Sequence, residues 1–368
     1  MNQGETRTSG SARDLGGGAQ ADSQSAPKPV RLTRAGRSEA ARRLDRAHGA
    51  LAGLALGDAL GMPTQSMPRS AIAQRFGEIT SLLDAPPDQP VAPGLAAGTV
   101  TDDTEQALLL ARLIIAGGGA VSPEAWVGEL RDWEQKMIAR GSHDLLGPST
   151  KTALAALRQG VDQAEAGRLG ATNGAAMRIT PVGIAYRPGH RLWDRVRAIT
   201  AVTHGTNLGL AGAYAVAAAV SQGVEGAVVW DAVIAGIAAA HFGAQHGSWV
   251  AGADIGARFD ALAPLGRPLT DSAFAAFLYE VVGTSVASQE SVVAAFLLAD
   301  RYADAPFEAL QVAAGLGGDT DTIGAIAGAI LGSAIGVSAF PAPLISQIEA
   351  VNGLALGQVA AQLVALRS

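Results

Sequence analysis

The chain has no cysteine in its 368 residues. That excludes disulfides, thiolate metal sites and a cysteine nucleophile, and it is compatible with a reducing, cytoplasmic setting, which is the location expected. Aromatic residues are scarce, at 5%, and charged residues make up only 16%. A β-sandwich would draw on more Val, Thr, Tyr and Phe, and no segment alternates apolar and polar residues long enough to demand a sheet. Alanine and 46 glycines dominate a composition that is 48% hydrophobic. That mix suits closely packed helices with a large core, and the expected fold is all-α.

Strong positive charge is also missing from the body of the chain. The net charge is −6. Residues 1–46 hold nine Lys or Arg against five Asp or Glu, leaving the remainder with eighteen against twenty-eight. An acidic body is a poor general nucleic-acid binder. Residues 1–39 show no apolar periodicity and are expected to form a disordered tail, followed by one folded domain over residues 40–366. Two stretches, 198–224 and 322–348, lack Asp, Glu, Lys and Arg and exceed the roughly 20 residues of a membrane span. The first contains His204, Asn207 and Gln222, and the second is broken by Pro341 and Pro343. Both read as buried core helices, so no membrane association is expected. The polar, glycine-rich N-terminus does not resemble a secretory signal.

The most informative stretch is GLGGDTDTIGAIAGAILGSAIG, residues 315–336. Asp319 and Asp321 stand one residue apart, with hydroxyls at Thr320 and Thr322, at the entry to an apolar helix. Acids at a helix start can simply cap it. Two acids flanked by two hydroxyls also form a set of hard oxygen ligands for a divalent cation. Thr101-Asp102-Asp103-Thr104 repeats the design ahead of QALLLARLIIAGG. Two such junctions in one chain favour a metal site over coincidental capping. Glycines recur every fourth residue, at 324, 328, 332 and 336, and again at 49, 53, 57 and 61. Such spacing keeps them on one helix face. The two faces are expected to cross, glycine against glycine, near the middle of the protein. Asp58 lies inside the earlier helix, either as a core acid satisfied locally or as support for a site.

These segments, taken in order, resemble a known family. Gly57-Asp58-Ala59-Leu60-Gly61, the Thr101-Asp102-Asp103-Thr104 tetrad, Asn173-Gly174-Ala175-Ala176-Met177-Arg178, Thr203-His204 and Gly318-Asp319-Thr320-Asp321-Thr322 together are similar to the ADP-ribosylglycohydrolases. The resemblance implies a single orthogonal multi-helix bundle around a central binuclear site for two divalent cations, Mg²⁺ or Mn²⁺. It assigns Thr101, Asp102 and Asp103 to one ion, Asp319 and Thr322 to the other, and Asp321 to a bridge between them. Asn173, Gly174 and Met177 would cradle ADP-ribose, with His204 lining the same pocket. One position departs from the family pattern. Many members carry a glutamate four residues after the GDALG motif, and this chain has Gln65, which keeps an oxygen acceptor but loses charge and basicity.

The implied activity is hydrolysis of a ribosidic bond, with water attacking an anomeric carbon that gathers oxocarbenium-like charge. Asp102, Asp103 and Asp319 are the candidates for general base. The expected substrate is an ADP-ribosylated protein side chain, or a smaller ribosyl or nucleoside conjugate handled by the same chemistry. A fold retained for binding alone is a third reading, supported only by Gln65. Lys151 and Arg178 are candidates to meet a pyrophosphate, and equally to be ordinary ion-pair partners.

Overall fold

Helix α1, Glu39–Gly61, begins where Ser38 accepts a hydrogen bond from the Ala41 amide, with Glu39 in the first turn. Both features suit a helix N-terminus. From Ala47 to Gly61 nearly every residue of α1 is buried. A computed structural model describes residues 38–142 and 146–368. The expected disordered tail, apart from its last two residues, lies outside the described part.

The helices that follow are short and separated by proline or glycine. They are α2 (Arg69–Phe76), α3 (Asp102–Ala116), α4 (Pro123–Ala139), α5 (Pro148–Arg158) and α6 (Gln163–Ala166). Next come α7 (Gly174–Met177), α8 (Thr180–Ala185), α9 (His190–His204), α10 (Asn207–Glu225), α11 (Val229–Gly243) and α12 (Ile255–Gly266). The chain closes with α13 (Asp271–Phe277), α14 (Ser288–Arg301), α15 (Pro306–Gly315), α16 (Thr320–Ile335), α17 (Ala342–Asn352) and α18 (Leu356–Ala365). A π-helical turn, Leu278–Val282, continues α13. Among the described residues there are isolated bridges but no strands, in keeping with the all-α expectation. No single helix there is long and apolar enough to cross a membrane. The charge-free stretch from residue 198 divides at Gly205 between α9 and α10, and α10 is buried over most of its length.

The two glycine-spaced helices form the core and meet glycine face to glycine face, as expected. A Cβ added at Gly49, Gly53 or Gly57 would collide with the backbone carbonyl of Gly332, Gly328 or Gly324, and at Gly61 with the Asp321 backbone. The pairs descend as they ascend, so α1 and α16 run antiparallel in register over ~18 Å. Around this pair pack α10, α14, α15 and α18. Alanine-rich surfaces permit such approach because contact is made through backbone and methyl groups. The seam has one consequence for chemistry. It brings Asp58, in the last turn of α1, beside the acidic start of α16.

Candidate functional site

Asp58 is fully buried, and its oxygens accept four hydrogen bonds from the start of α3. The Thr101 amide donates at 3.0 Å, the Thr101 hydroxyl at 2.8 Å, the Thr104 amide at 3.1 Å and the Thr104 hydroxyl at 2.5 Å. Thr101 itself provides no side-chain cap for α3. The carboxylate on α1 therefore caps α3 across the core, which fixes where Asp102 and Asp103 stand. Burial pushes the Asp58 pKa up to about 6, against the pull of these four donors.

Asp103 lies deepest. One of its oxygens receives the hydroxyls of Thr101 and Thr322, both at 3.3 Å, while its Oδ1 is buried with no partner. Burial raises its pKa well above the carboxylate range, reinforced by Asp321, Asp102, Asp58 and Asp319. Asp321 is raised in the same way, by burial and then by Asp319, Asp58 and Asp102. Burial also raises Asp319, against a hydrogen bond from the Asn173 side chain. The turn before Asp319 is made by Gly317 and Gly318, both with positive φ, and is pinned by the Gly318 amide to the Met67 carbonyl at 3.0 Å. Glycine takes that conformation without Cβ strain.

A cleft of about 160 Å³ opens over these acids. Asp102, Asp319, Asp321, Thr322, Asn173, Gly174, Met177 and Gln65 line it, so the structure brings together residues from four separate stretches. Thr101 and Asp103 lie behind them. His204 stands one layer back, 1% exposed, with Nε2 3.0 Å from the Thr172 hydroxyl that does line the cleft. Burial, with Arg178 nearby, pushes the His204 pKa well below that of a free imidazole. Arg178 is buried too, lowered to about 10, and donates to Gln106 at 2.8 Å and to Thr203 at 2.7 Å. It does not line the cleft, nor does the exposed Lys151.

Arg178 can only donate, so Thr203 and Gln106 both accept from it. The Thr172 hydroxyl donates to Ser149 at 2.9 Å, so Nε2 of His204 donates to Thr172 and Nδ1 of the neutral ring accepts the Thr203 hydroxyl at 2.8 Å. On the other side Gln106 accepts from Arg178 and donates to Asp102 at 3.1 Å. Gln106, Thr172, Ser291 (which receives the Asn173 amide at 2.8 Å) and Gln89 went unread in the sequence. Gln106 alone left a local signal, since it lies four residues after Asp102 on one helix.

With this arrangement in view, comparison with known proteins is decisive. The family profile described as ADP-ribosylglycohydrolase matches residues 39–368. The chain belongs to the ADP-ribosylglycohydrolase family. It is 36% identical to the uncharacterized protein YegU of Escherichia coli (strain K12) over 328 residues, which cover 88% of this chain and 97% of YegU. It is 34% identical over 170 residues to the ADP-ribosylarginine hydrolase Tri1 of Pseudomonas putida (strain GB-1), spanning 44% of this chain and 42% of Tri1. A solved ADP-ribosylglycohydrolase-related protein complex superposes with a TM-score of 0.66 at 25% identity, over 89% of this chain and 99% of that one.

As the side chains stand, no three His, Asp or Glu among the described residues are gathered into a group that could hold a metal. The donors nevertheless fit divalent cations in kind. They are carboxylate and hydroxyl oxygens, crowded enough to raise one another's pKa, and one buried carboxylate oxygen is unpartnered. Hard cations take oxygen ligands of this type.

Proposed function

We propose that this member of the family hydrolyses the ribosidic bond of an ADP-ribosyl conjugate and releases ADP-ribose, with two divalent cations, Mg²⁺ or Mn²⁺, as cofactors. The observation that carries the reading is the buried, unpartnered Oδ1 of Asp103 among Asp102, Asp319 and Asp321. A buried acceptor without a partner is destabilising, so its retention points to a bound group that completes it. Thr101, Asp102 and Asp103 would hold one cation, Asp319 and Thr322 the other, with Asp321 between them. When bound, the cations would grip the ribose diol and acidify the attacking water.

The remaining steps belong to the chain's own side chains. Water adds its oxygen to the anomeric carbon while the bond to the aglycone breaks. Asp102 and Asp319 line the cleft and would take the water proton, whereas Asp103 lies behind it. Gln106 orients Asp102, and Asn173 orients Asp319. Asn173, Gly174 and Met177 form the wall against which the ribose lies, and His204 supports that wall through Thr172.

The test is a screen of ADP-ribosylated peptides and simple nucleosides with each metal, following ADP-ribose and free base by mass spectrometry. Metal-dependent ADP-ribose release, abolished by Asp103→Asn, is the expected result. Release of base from nucleosides alone would move the reading to a nucleoside hydrolase. No turnover of any conjugate by metal-loaded protein would refute both.

A further inference from the structure

Gln65 stands in the cleft with its chemistry unspent. The side chain is 6% exposed, it lines the cleft with Asp102, Asp319 and Asp321, and its carboxamide nitrogen is buried without a hydrogen-bond partner. The backbone around it is held firmly. The Gln65 amide donates to the Gly61 carbonyl at 3.0 Å, and its own carbonyl accepts from the Gln89 side chain at 2.8 Å. Gln89 is anchored in turn by the Val91 amide at 2.6 Å. The next residue, Ser66, has φ +60, the one non-glycine positive φ among the described residues, and its amide donates to the Gly318 carbonyl at 2.7 Å. Backbone strain and an unmade buried hydrogen bond meet at one point on the cleft wall. Each is unfavourable, and a ligand that accepts from the carboxamide nitrogen relieves the second.

The rest of the lining bears on what that ligand offers. Asp102, Asp319 and Asp321 are the charged side chains that line the cleft among the described residues; the others are neutral. The unpartnered carboxamide nitrogen of Gln65 can only donate, so a guanidinium, which presents donors and no acceptor, leaves it unsatisfied. A carboxamide such as that of Gln65 both donates and accepts. It matches a hydroxyl, ester or amide, which does the same or accepts alone.

We propose that Gln65 is a specificity-determining residue that contacts the leaving side of the substrate. The conjugates taken by this site carry an uncharged leaving group, of the hydroxyl or carboxamide class, and not a guanidinium. The proposal rests on the ribosidic-hydrolase reading above. For a hydroxyl leaving group the step balances simply. The water oxygen bonds to the anomeric carbon, the bond from that carbon to the leaving oxygen breaks, one water proton passes to the cleft carboxylate, and that carboxylate hands a proton on to the leaving oxygen. The products are ADP-ribose and a neutral alcohol.

The experiment gives the metal-loaded full-length chain two peptides, one ADP-ribosylated on serine and one on arginine. The serine conjugate is expected to be cleaved with at least about tenfold higher kcat/KM, and Gln65→Glu to shift that ratio toward arginine by about tenfold. Equal rates on the two peptides, or a ratio unmoved by Gln65→Glu, would overturn the proposal. A second arm needs neither metal nor substrate. Gln65→Met removes an unpartnered amide while keeping volume, so it should raise the Tm of the metal-free protein by about 2 °C. A carboxamide serving structure would instead lower Tm on the same change, which also overturns the proposal. If neither peptide is cleaved by wild type, the hydrolase reading fails and the substrate class falls with it. The melting result then still decides whether Gln65 is held for a ligand.

Discussion

Each oxygen of Asp58 accepts from Thr101 or Thr104, and together these donors occupy the carboxylate. An asparagine there keeps one acceptor and turns an NH₂ toward hydroxyls and amides that already donate. Asp58→Asn is therefore expected to lower stability by about 1–3 kcal/mol and to reduce turnover, although residue 58 does not line the cleft. Urea melts and steady-state kinetics on one preparation test both parts. The pH dependence carries a defined sign. The native pKa of about 6 lies above the ordinary aspartate value of 3.8, so the folded state holds this proton longer than the unfolded state does. Its contribution to stability is complete below about pH 4 and is lost as pH rises through about 6. Metal-free wild type should thus lose stability relative to Asp58→Asn across that window, and parallel profiles would show that the carboxyl titrates normally. Little of this was legible beforehand. The GDALG motif pointed to Asp58, but its partners lie 43 and 46 residues away, and no local pattern distinguishes a cap on one's own helix from a cap on another.

At the scale of helices, four-residue glycine spacing was legible as a packing face, and its pairing with the second glycine face is what the structure contains. The relative direction of the two helices was not legible, and four successive contacts show α1 and α16 to be antiparallel. Spacing alone identifies a face, whereas the angle between helices depends on the whole contact surface. The register gives a sharp prediction. A side chain at Gly328 would meet the Gly53 backbone, which cannot rotate aside as a side chain can. Gly328→Leu should cost about 3 kcal/mol or more and displace the start of α16. Metal-dependent activity should fall further than stability alone explains, because Asp319 and Asp321 open that helix. The exposed Gln159→Leu serves as the control, read by thermal melts and activity in parallel. A Gly328→Leu variant that behaves like the control would mean α1 and α16 do not meet as described.

Across the whole molecule, carboxylates that lie hundreds of residues apart in sequence share one buried centre. The motifs made Asp102, Asp103, Asp319 and Asp321 legible as a group because each pair sits at a helix start. The wall of the cleft was legible only in part: Asn173, Gly174, Met177 and Gln65 stood out as motif positions, whereas Thr172 and Val286 come from irregular segments joined only by the fold. Burial first, and repulsion among the carboxylates second, raise the pKa of Asp103 and Asp321, so the charged cluster is unfavourable without cations. Two effects of opposite sign then follow from Asp321→Asn. In metal-free protein the change removes a buried charge and leaves an oxygen to accept the Thr322 amide, which Asp321 now receives at 3.0 Å. The variant should therefore melt at or above wild type when both are stripped by chelator. Adding Mn²⁺ or Mg²⁺ should reverse the order. Wild type gains about 2.7 kcal/mol at a metal concentration a hundred times Kd, while the variant, lacking the bridging carboxylate, gains less. Melting curves with and without metal, alongside metal analysis of each preparation, provide the test. If wild type shown to carry metal melts at the same temperature after stripping, the clustered acids serve some purpose other than binding cations. If Asp321→Asn gains as much as wild type, Asp321 does not bridge them.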